Sequence, residues 1–481
     1  LKFKLNVIIF SLTLALIVGL AISIFRNTQY EYNEIFEAED AKLSGVEVNN
    51  KIKNYSGEGY VTKFNKSDDN IVFRVNVPRD GIYNINIRYS IPKISGEKYT
   101  LINVNGSYLR KMALPALNTF QEISVGNFSL KKGENSIMLI SEWGFYNIDY
   151  IRVQGFPVKN KPTINDKLVN EKATNEAKNL MKFLVSIQKS HILSGQQGLK
   201  EAEWVDEHVG KKPAVVGFDF MDYSLSRVRR GVKSNETEEA IKWHQEGGIV
   251  SFSWHWNAPK DLINEPGKEW SEGFRTKATT FDIQYALSHP TSEDYQLLLK
   301  DIDAIAIQLK KLEQANVPVL FRPLHEAEGG WFWWGAKGPE PAKELYRLIY
   351  DRITNYHKIN NIIWVWNSSA KEWYPGNKYV DIVSYDSYPD AGDYRPLIGK
   401  YAELTSLVHN KKLVALSENG PIPDPNLLKE YQVNWSWFLT WQDKFLKDGK
   451  TNSLEHLSDV YNNDYVITLD KLQKYKIYSS K

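Results

Sequence analysis

The 481-residue chain contains no cysteine and only four methionines. Without cysteine it can form no disulfide, no thiolate nucleophile and no thiolate zinc site. It also lacks an excess of either charge, because 60 Lys and Arg stand against 58 Asp and Glu for a net charge of +2. That balance gives no electrostatic footing for nucleic acid, whose recognition needs a basic face. No G-x-x-x-x-G-K-[ST], G-x-S-x-G or H-E-x-x-H occurs, and no His cluster has metal-ligand spacing, which sets aside NTPase, α/β-hydrolase and metalloprotease readings. What is present is a globular composition, 42% hydrophobic and 25% charged, with a surplus of 15 Trp. Trp143 stands alone in the first third, the other fourteen Trp fall between Trp204 and Trp441, and all nine His lie at or after His191. The chain therefore reads as two chemically different parts.

Residues 1–28 begin with Lys2 and Lys4, continue as an uncharged apolar run from Leu5 to Phe25, and reach Arg26. A basic flank followed by an apolar run is an export pattern. A run of about 20 residues is also long enough to span a bilayer. Gly19-Leu-Ala21 offers only a weak cleavage site, so signal peptide and membrane anchor both stay open. On either reading the rest of the chain is expected outside the cell, secreted or tethered through this segment alone. A cysteine-free exported chain suits a cell that does not rely on disulfides. The first residue, Leu1, is expected to reflect an alternative start codon or a truncated start.

Residues 34–156 alternate with period two. Phe73, Val75 and Val77 share one face, as do Tyr83, Ile85, Ile87 and Tyr89. Turn signals at Pro78-Arg-Asp-Gly81, Asn105-Gly106 and Lys131-Lys-Gly-Glu-Asn135 separate the runs, which predicts an all-β sandwich. Glu37 and Glu39 open the segment and Asp149 lies near its close, where they could meet on a sheet edge and hold a hard cation or simply face solvent. The strings Glu37-Ala-Glu-Asp40, Gly57-Glu-Gly-Tyr-Val61 and Tyr146-Asn-Ile-Asp-Tyr-Ile-Arg-Val153 resemble carbohydrate-binding modules of family 35 across this segment. The resemblance implies a jelly-roll sandwich with structural calcium at Glu37, Glu39 and Asp149, and sugar contacts from Trp143 and Asn147.

A Pro-containing polar stretch, 157–170, reads as a linker. From 171 to 478, eight short apolar or β-branched runs alternate with amphipathic stretches: 191–194, 213–219, 248–255, 317–326, 362–367, 381–386, 412–418 and 435–441. Helical spacing is clearest over 292–314, through Leu298, Ile302, Ile305, Leu309 and Leu312, and recurs over 341–357. Eight β-then-α units in roughly 300 residues predict a (β/α)8 TIM barrel, an α/β fold whose active site gathers at the C-terminal ends of the strands. Those ends hold Gln196, Asp219, His255, Glu326, Asn367, Asp386, Glu418 and Trp441. Glu326 on strand four and Glu418 on strand seven could face each other across the mouth as the two carboxylates of glycoside hydrolysis, although either alone could be a salt-bridge partner.

The motifs Phe321-Arg-Pro-Leu-His-Glu326, Trp331-Phe-Trp-Trp-Gly335, Ser253-Trp-His255, Val383-Ser-Tyr-Asp-Ser-Tyr388 and Leu416-Ser-Glu-Asn419 are similar to glycoside hydrolase family 26 over the whole second part. The resemblance implies an endo-β-1,4-mannanase that needs no cofactor, with Glu326 as acid/base and Glu418 as nucleophile of a retaining mechanism. It implies that Arg322, His325, Asp386 and Tyr388 hold the carboxylates and the sugar, and that His255 and Trp331 touch sugar. Trp441 would be the stacking platform, with Trp437 as competitor, and Trp270 would serve a distal subsite. Plant cell-wall mannan would be the partner of a monomeric enzyme. Mixed-linkage β-glucan and β-1,3-xylan are alternatives on the same fold, as is a barrel that binds polysaccharide without cleaving it.

Overall fold

A computed structural model describes residues 32–91, 96–106, 108–155 and 164–477, without the side chains of 108–110 and of Trp143. The export segment therefore lies outside the described residues. Among the described residues no helix is long and apolar enough to cross a membrane. The chain divides into two compact units between Lys161 and Pro162.

The first unit is a sandwich of two antiparallel sheets. Tyr32–Glu37, Glu47–Asn49, Tyr60–Thr62, Gly81–Ser90, Gln121–Leu130 and Asn147–Gly155 make one sheet; Lys42–Ser44, Asn70–Val77, Lys98–Val104, Tyr108–Leu114 and Gly133–Trp143 make the other. The period-two residues lie inward as predicted: Phe73, Val75 and Val77 of one sheet and Tyr83, Ile85, Ile87 and Tyr89 of the other are all buried in one core. Asn105 and Gly106, at φ 53° and 74°, supply the left-handed backbone that a tight hairpin requires.

The second unit is a closed barrel of eight parallel strands: Gly195–Gln197, Val215–Asp219, Ile249–Trp254, Val319–Pro323, Ile362–Asn367, Ile382–Ser387, Leu413–Asn419 and Phe438–Thr440. Two strands differ from expectation. The run at 191–194 is not the first barrel strand; Ile192–Leu193 pairs instead with Val466–Ile467 in a separate two-stranded sheet. Its apolar composition marked burial, and burial does not say against which neighbour. Strand four stops at Pro323, so Glu326 sits three residues beyond it in a turn. The helix Glu293–Gln314 is capped by the Ser292 hydroxyl and buries Leu298, Ile302, Ile305, Leu309 and Leu312 along one stripe. The second predicted helix is split: Pro339–Tyr350 is α-helical, and Asp351–Tyr356 continues as a π-helical turn where Arg352 grips Asp303 through two hydrogen bonds of 2.8 Å.

The Trp surplus is mainly core. Trp243, Trp254, Trp256, Trp333, Trp334, Trp364, Trp366, Trp435 and Trp437 are all fully buried.

Candidate active site

Arg322 lies on strand four, and its guanidinium reaches across the barrel mouth. Nη2 donates to Glu418 Oε2 at 2.7 Å, and Nη1 pairs with Asp386. All three side chains are almost fully withdrawn from solvent, and an ion pair in such surroundings is strong only with its remaining hydrogen bonds made. Those bonds are present. Asp386 Oδ1 accepts from Asn367 Nδ2 at 2.9 Å and from Ser417 at 2.8 Å, while Glu418 Oε1 accepts from the Tyr388 hydroxyl at 2.5 Å. Strand register sets this up: Asp386 on strand six pairs directly with Glu418 on strand seven, after a register shift between Tyr385 and Asp386. A bulge of this kind re-aims side chains next to functional sites. Burial and the Glu418 charge push the Tyr388 hydroxyl far up, so it remains a proton donor.

Glu326 arrives by a different route. Leu324 and Glu326 both take left-handed backbone, at φ 55° and 52°, and the Glu326 amide is pinned by Asn367 Oδ1 at 2.8 Å. Such conformations cost about 1–3 kcal/mol each in a residue other than glycine and persist only where the surroundings enforce them. Two glycines do part of the enforcing. A Cβ on Gly335 would fall 1.9 Å from the Ala327 carbonyl oxygen, so only glycine lets the Trp-rich loop close behind the turn. A Cβ on Gly329 would fall 2.1 Å from the Trp331 ring, so only glycine lets the indole fold back and donate to Glu326 Oε2 at 2.8 Å. Burial, followed by the charge of Glu418, raises the Glu326 carboxyl above its ordinary range. One carboxylate oxygen each of Glu326, Asp386 and Glu418 lie within 4.8 Å of one another.

Imidazoles and aromatics complete the mouth. His255, just past strand three, faces His325 with Nε2 to Nε2 at 3.1 Å. Its ring centroid lies 5.8 Å from that of Trp441, the residue after strand eight. Trp331 is half exposed beside Glu326. Trp437 is 1% exposed and belongs to the core, which leaves Trp441 as the aromatic of strand eight at the mouth. Trp270 packs instead beneath two guanidinium groups, Arg230 at 5.0 Å and Arg227 at 5.7 Å from its ring centre.

Residues 169–471 match the glycosyl hydrolase family 26 model, and residues 34–156 match the family 35 carbohydrate binding module. The chain belongs to glycosyl hydrolase family 26. Similar to this family 26 chain is a mannan endo-1,4-β-mannosidase of Thermothelomyces thermophilus, 46% identical over 91% of this chain and 90% of that one. Mannan endo-1,4-β-mannosidase B of a Piromyces species is 34% identical over 92% of this chain and 78% of its own. A solved β-(1,4)-mannanase of Podospora anserina, with the same pair of family domains, superposes with a TM-score of 0.68 at 45% identity, covering 92% of this chain and 99% of that one.

In the module of this family 26 chain, the segment Ser56–Gly59 wraps the predicted calcium ligands. Ser56 donates to Glu37 Oε1 at 2.7 Å and to Asp149 Oδ1 at 2.8 Å, and Glu58 and Gly59 amides donate to Glu39 Oε1 at 2.7 and 3.0 Å. Glu37 Oε2 and Glu39 Oε2 are buried without a hydrogen-bond partner, which fits an oxygen-ligated cation. Asp149 differs, because its second oxygen is already paired with Arg88. Asn147 is 8% exposed, and its amide is engaged by Thr62 at 2.7 Å and Ser90 at 3.1 Å, linking strands inside the sheet. The Trp143 side chain lies outside the described residues.

Four residues that hold the barrel site together had no assigned role in the sequence. Asn367 and Asp219 are legible only as polar ends of apolar strands, Ser417 is hidden beside Glu418, and Glu236 lies on a helix whose acidic residues look like a solvated face.

Proposed function

We propose that this chain is a retaining endo-β-1,4-mannanase, with Glu326 as acid/base and Glu418 as nucleophile. The observation that carries the reading is the Glu326–Glu418 approach, within 4.8 Å between carboxylate oxygens. Retaining enzymes hold their carboxyl groups about 5–5.5 Å apart, whereas inverting ones leave about 6.5–9.5 Å for a water. The two environments also divide the roles. Glu418 is oriented by Arg322 and Tyr388 for attack on the anomeric carbon, while the raised Glu326 keeps its proton for the departing glycosidic oxygen. As the C1–oxygen bond breaks, Glu418 forms the glycosyl ester and Glu326 delivers the proton. Glu326 then takes a proton from water, which attacks C1 and releases Glu418.

Trp441 serves as the platform under the sugar at the scissile bond, with His255 and Trp331 as further sugar contacts and Trp270 as a distal one. The mannan-degrading names of the similar proteins support mannan, glucomannan or galactomannan as the substrate class. The unpartnered oxygens of Glu37 and Glu39 support a structural calcium ion in the module, and the N-terminal apolar run supports action outside the cell.

The test is product analysis on mannan, galactomannan, glucomannan, mixed-linkage β-glucan and β-1,3-xylan side by side, with the anomer of the first product read by proton NMR. Mixed manno-oligosaccharides released first as β-anomers are expected. A first-formed α-anomer would overturn retention, and faster cleavage of glucan or xylan would overturn the substrate.

A further inference from the structure

His255 and His325 face each other through their Nε2 atoms at 3.1 Å, a hydrogen bond that needs one proton between two nitrogens. On the far side of His255, Nδ1 meets Asp219 Oδ2 at 2.5 Å, and the His255 amide donates to Asp219 Oδ1 at 3.0 Å. Asp219 also accepts from the Met221 amide at 2.8 Å and the Ser253 hydroxyl at 3.0 Å, which fixes the carboxylate against the ring. The free carboxylate requires His255 Nδ1 to carry a proton. Two states remain. Either His255 is an imidazolium that donates from Nε2 to a His325 protonated on Nδ1, or His255 is neutral and accepts from His325 Nε2.

Charge selects the first state, although it leaves the buried His325 Nδ1–H without an acceptor. The charged or titratable groups facing His255 are Asp219 from strand two, Glu418 from strand seven, Arg322 from strand four and Glu326 from the turn after it, besides His325 itself. Behind Asp219, Glu236 Oε2 accepts the Asp219 amide at 2.7 Å. Burial, with Asp219, Glu239 and Asp222 nearby, pushes Glu236 up to about 8, so below that pH it is neutral and Asp219 is the anion that meets the ring. Burial opposes charge on His255, yet Asp219 and Glu418 outweigh it and hold the group above its ordinary value. Burial and the neighbouring His255 drive His325 down. Asp219 is largely buried and its one ion pair among the described residues is with His255, so His255 is the cation that meets this carboxylate.

We propose that His255 carries the positive charge of this imidazole pair, that Asp219 is the positioning residue that keeps it there, and that His325 is thereby held as its Nδ1–H tautomer. The charge reaches the chemistry because His255 lowers the Glu326 carboxyl that burial and Glu418 raise. This last link rests on the acid/base role given to Glu326 above; the charge assignment does not.

The experiment is 15N NMR of the full-length enzyme labelled at histidine, with the two rings assigned through His255→Gln and His325→Gln. At about pH 6.5, near the ordinary histidine value, the wild type should show both His255 nitrogens protonated and His325 protonated on Nδ1 only. In Asp219→Asn the doubly protonated His255 signal should vanish, and the alkaline limb of kcat/KM should move to higher pH because Glu326 loses a neighbouring cation. A singly protonated His255 in the wild type, or an imidazolium that survives in Asp219→Asn, overturns the proposal. A lost imidazolium with an unmoved alkaline limb overturns its link to Glu326. Should Asp219→Asn fail to fold, the wild-type spectrum alone decides. Because the spectra need no substrate, a failure of the mannanase reading leaves them interpretable.

Discussion

Arg322 and Glu418 come from strands four and seven, three strands apart around the barrel, and meet at 2.7 Å through Nη2 and Oε2. One guanidinium thus fixes the distance between the strand that leads to Glu326 and the strand that carries Glu418. Arg322 differs from a lysine at this position in kind, since its planar fork reaches Asp386 and Glu418 at once.

The paired carboxylates make a chemical prediction. Glu418→Ala and Glu326→Ala should each lower kcat on mannan by roughly three orders of magnitude or more, the scale at which removing a covalent nucleophile or its proton partner is felt. On an aryl β-manno-oligosaccharide, whose phenolate leaves without a proton, added azide should rescue Glu326→Ala as a β-mannosyl azide and Glu418→Ala as an α-mannosyl azide, read by NMR of the product. Near-normal activity in either variant, or the opposite anomers, would sink the assignment of roles.

The pH dependence follows from the raised Glu326 carboxyl. In the acid/base role proposed for it, the group works only while protonated, so kcat/KM should fall as pH rises through its shifted value. The Trp331 indole N–H stabilises the ionised form. Trp331→Phe should therefore move that alkaline limb to higher pH; a limb that stays fixed would remove Trp331 from the electrostatics of the site.

Tyr388→Phe keeps the ring against Phe445, 4.8 Å between centroids, and deletes only the hydrogen bond to Glu418. A hydrogen bond to a charged group contributes about 1.5–3 kcal/mol. The expected loss in kcat/KM is on the order of 10- to 150-fold.

Strand eight offers a contrast between two indoles. Trp437 is 1% exposed, so Trp437→Ala should cost about 3–5 kcal/mol of stability in a denaturant titration. Trp441→Ala should leave stability nearly unchanged and raise KM. Equal destabilisation by both would mean that Trp441 is core as well.

Stability itself should depend on pH through Glu236. Its folded value of about 8 lies above the ordinary carboxyl value near 4.3. Between these values the folded chain holds a proton that the unfolded chain has released, so this group's contribution is full below about pH 4 and is lost as pH rises toward 8. Glu236→Gln should flatten that part of the slope, with a smaller fall in melting temperature between pH 5 and pH 8 than in the wild type.

Much of this was legible in the sequence. Periodicity located the sandwich core and seven of the eight barrel strands, because a strand buried on both sides must be apolar along most of its length, as Ile362–Asn367 is up to Trp366. It misplaced the first strand, since Gly195–Gln197 reads as polar. Gln196 is tolerated there because its amide donates to the Thr440 carbonyl at 2.9 Å, a partner 244 residues away that local pattern cannot foresee. The two Glu were readable from their motifs, whereas the His255–Asp219–Glu236 array depends on register between strands and on a helix behind them. Trp composition misled in part, because only packing separates an indole that fills the core from one that faces the cleft.

The pairing of Ile192–Leu193 with Val466–Ile467 ties the start of the barrel unit to its far end. The seam between strands one and eight is itself short, with Gln196 opposite Thr440. During synthesis, then, the ring cannot be latched until the segment around residue 467 has left the ribosome. Contacts of such long sequence separation form slowly and late. Until strand eight has emerged, the edge of the first barrel strand stays open, and the growing chain depends on whatever shields that edge.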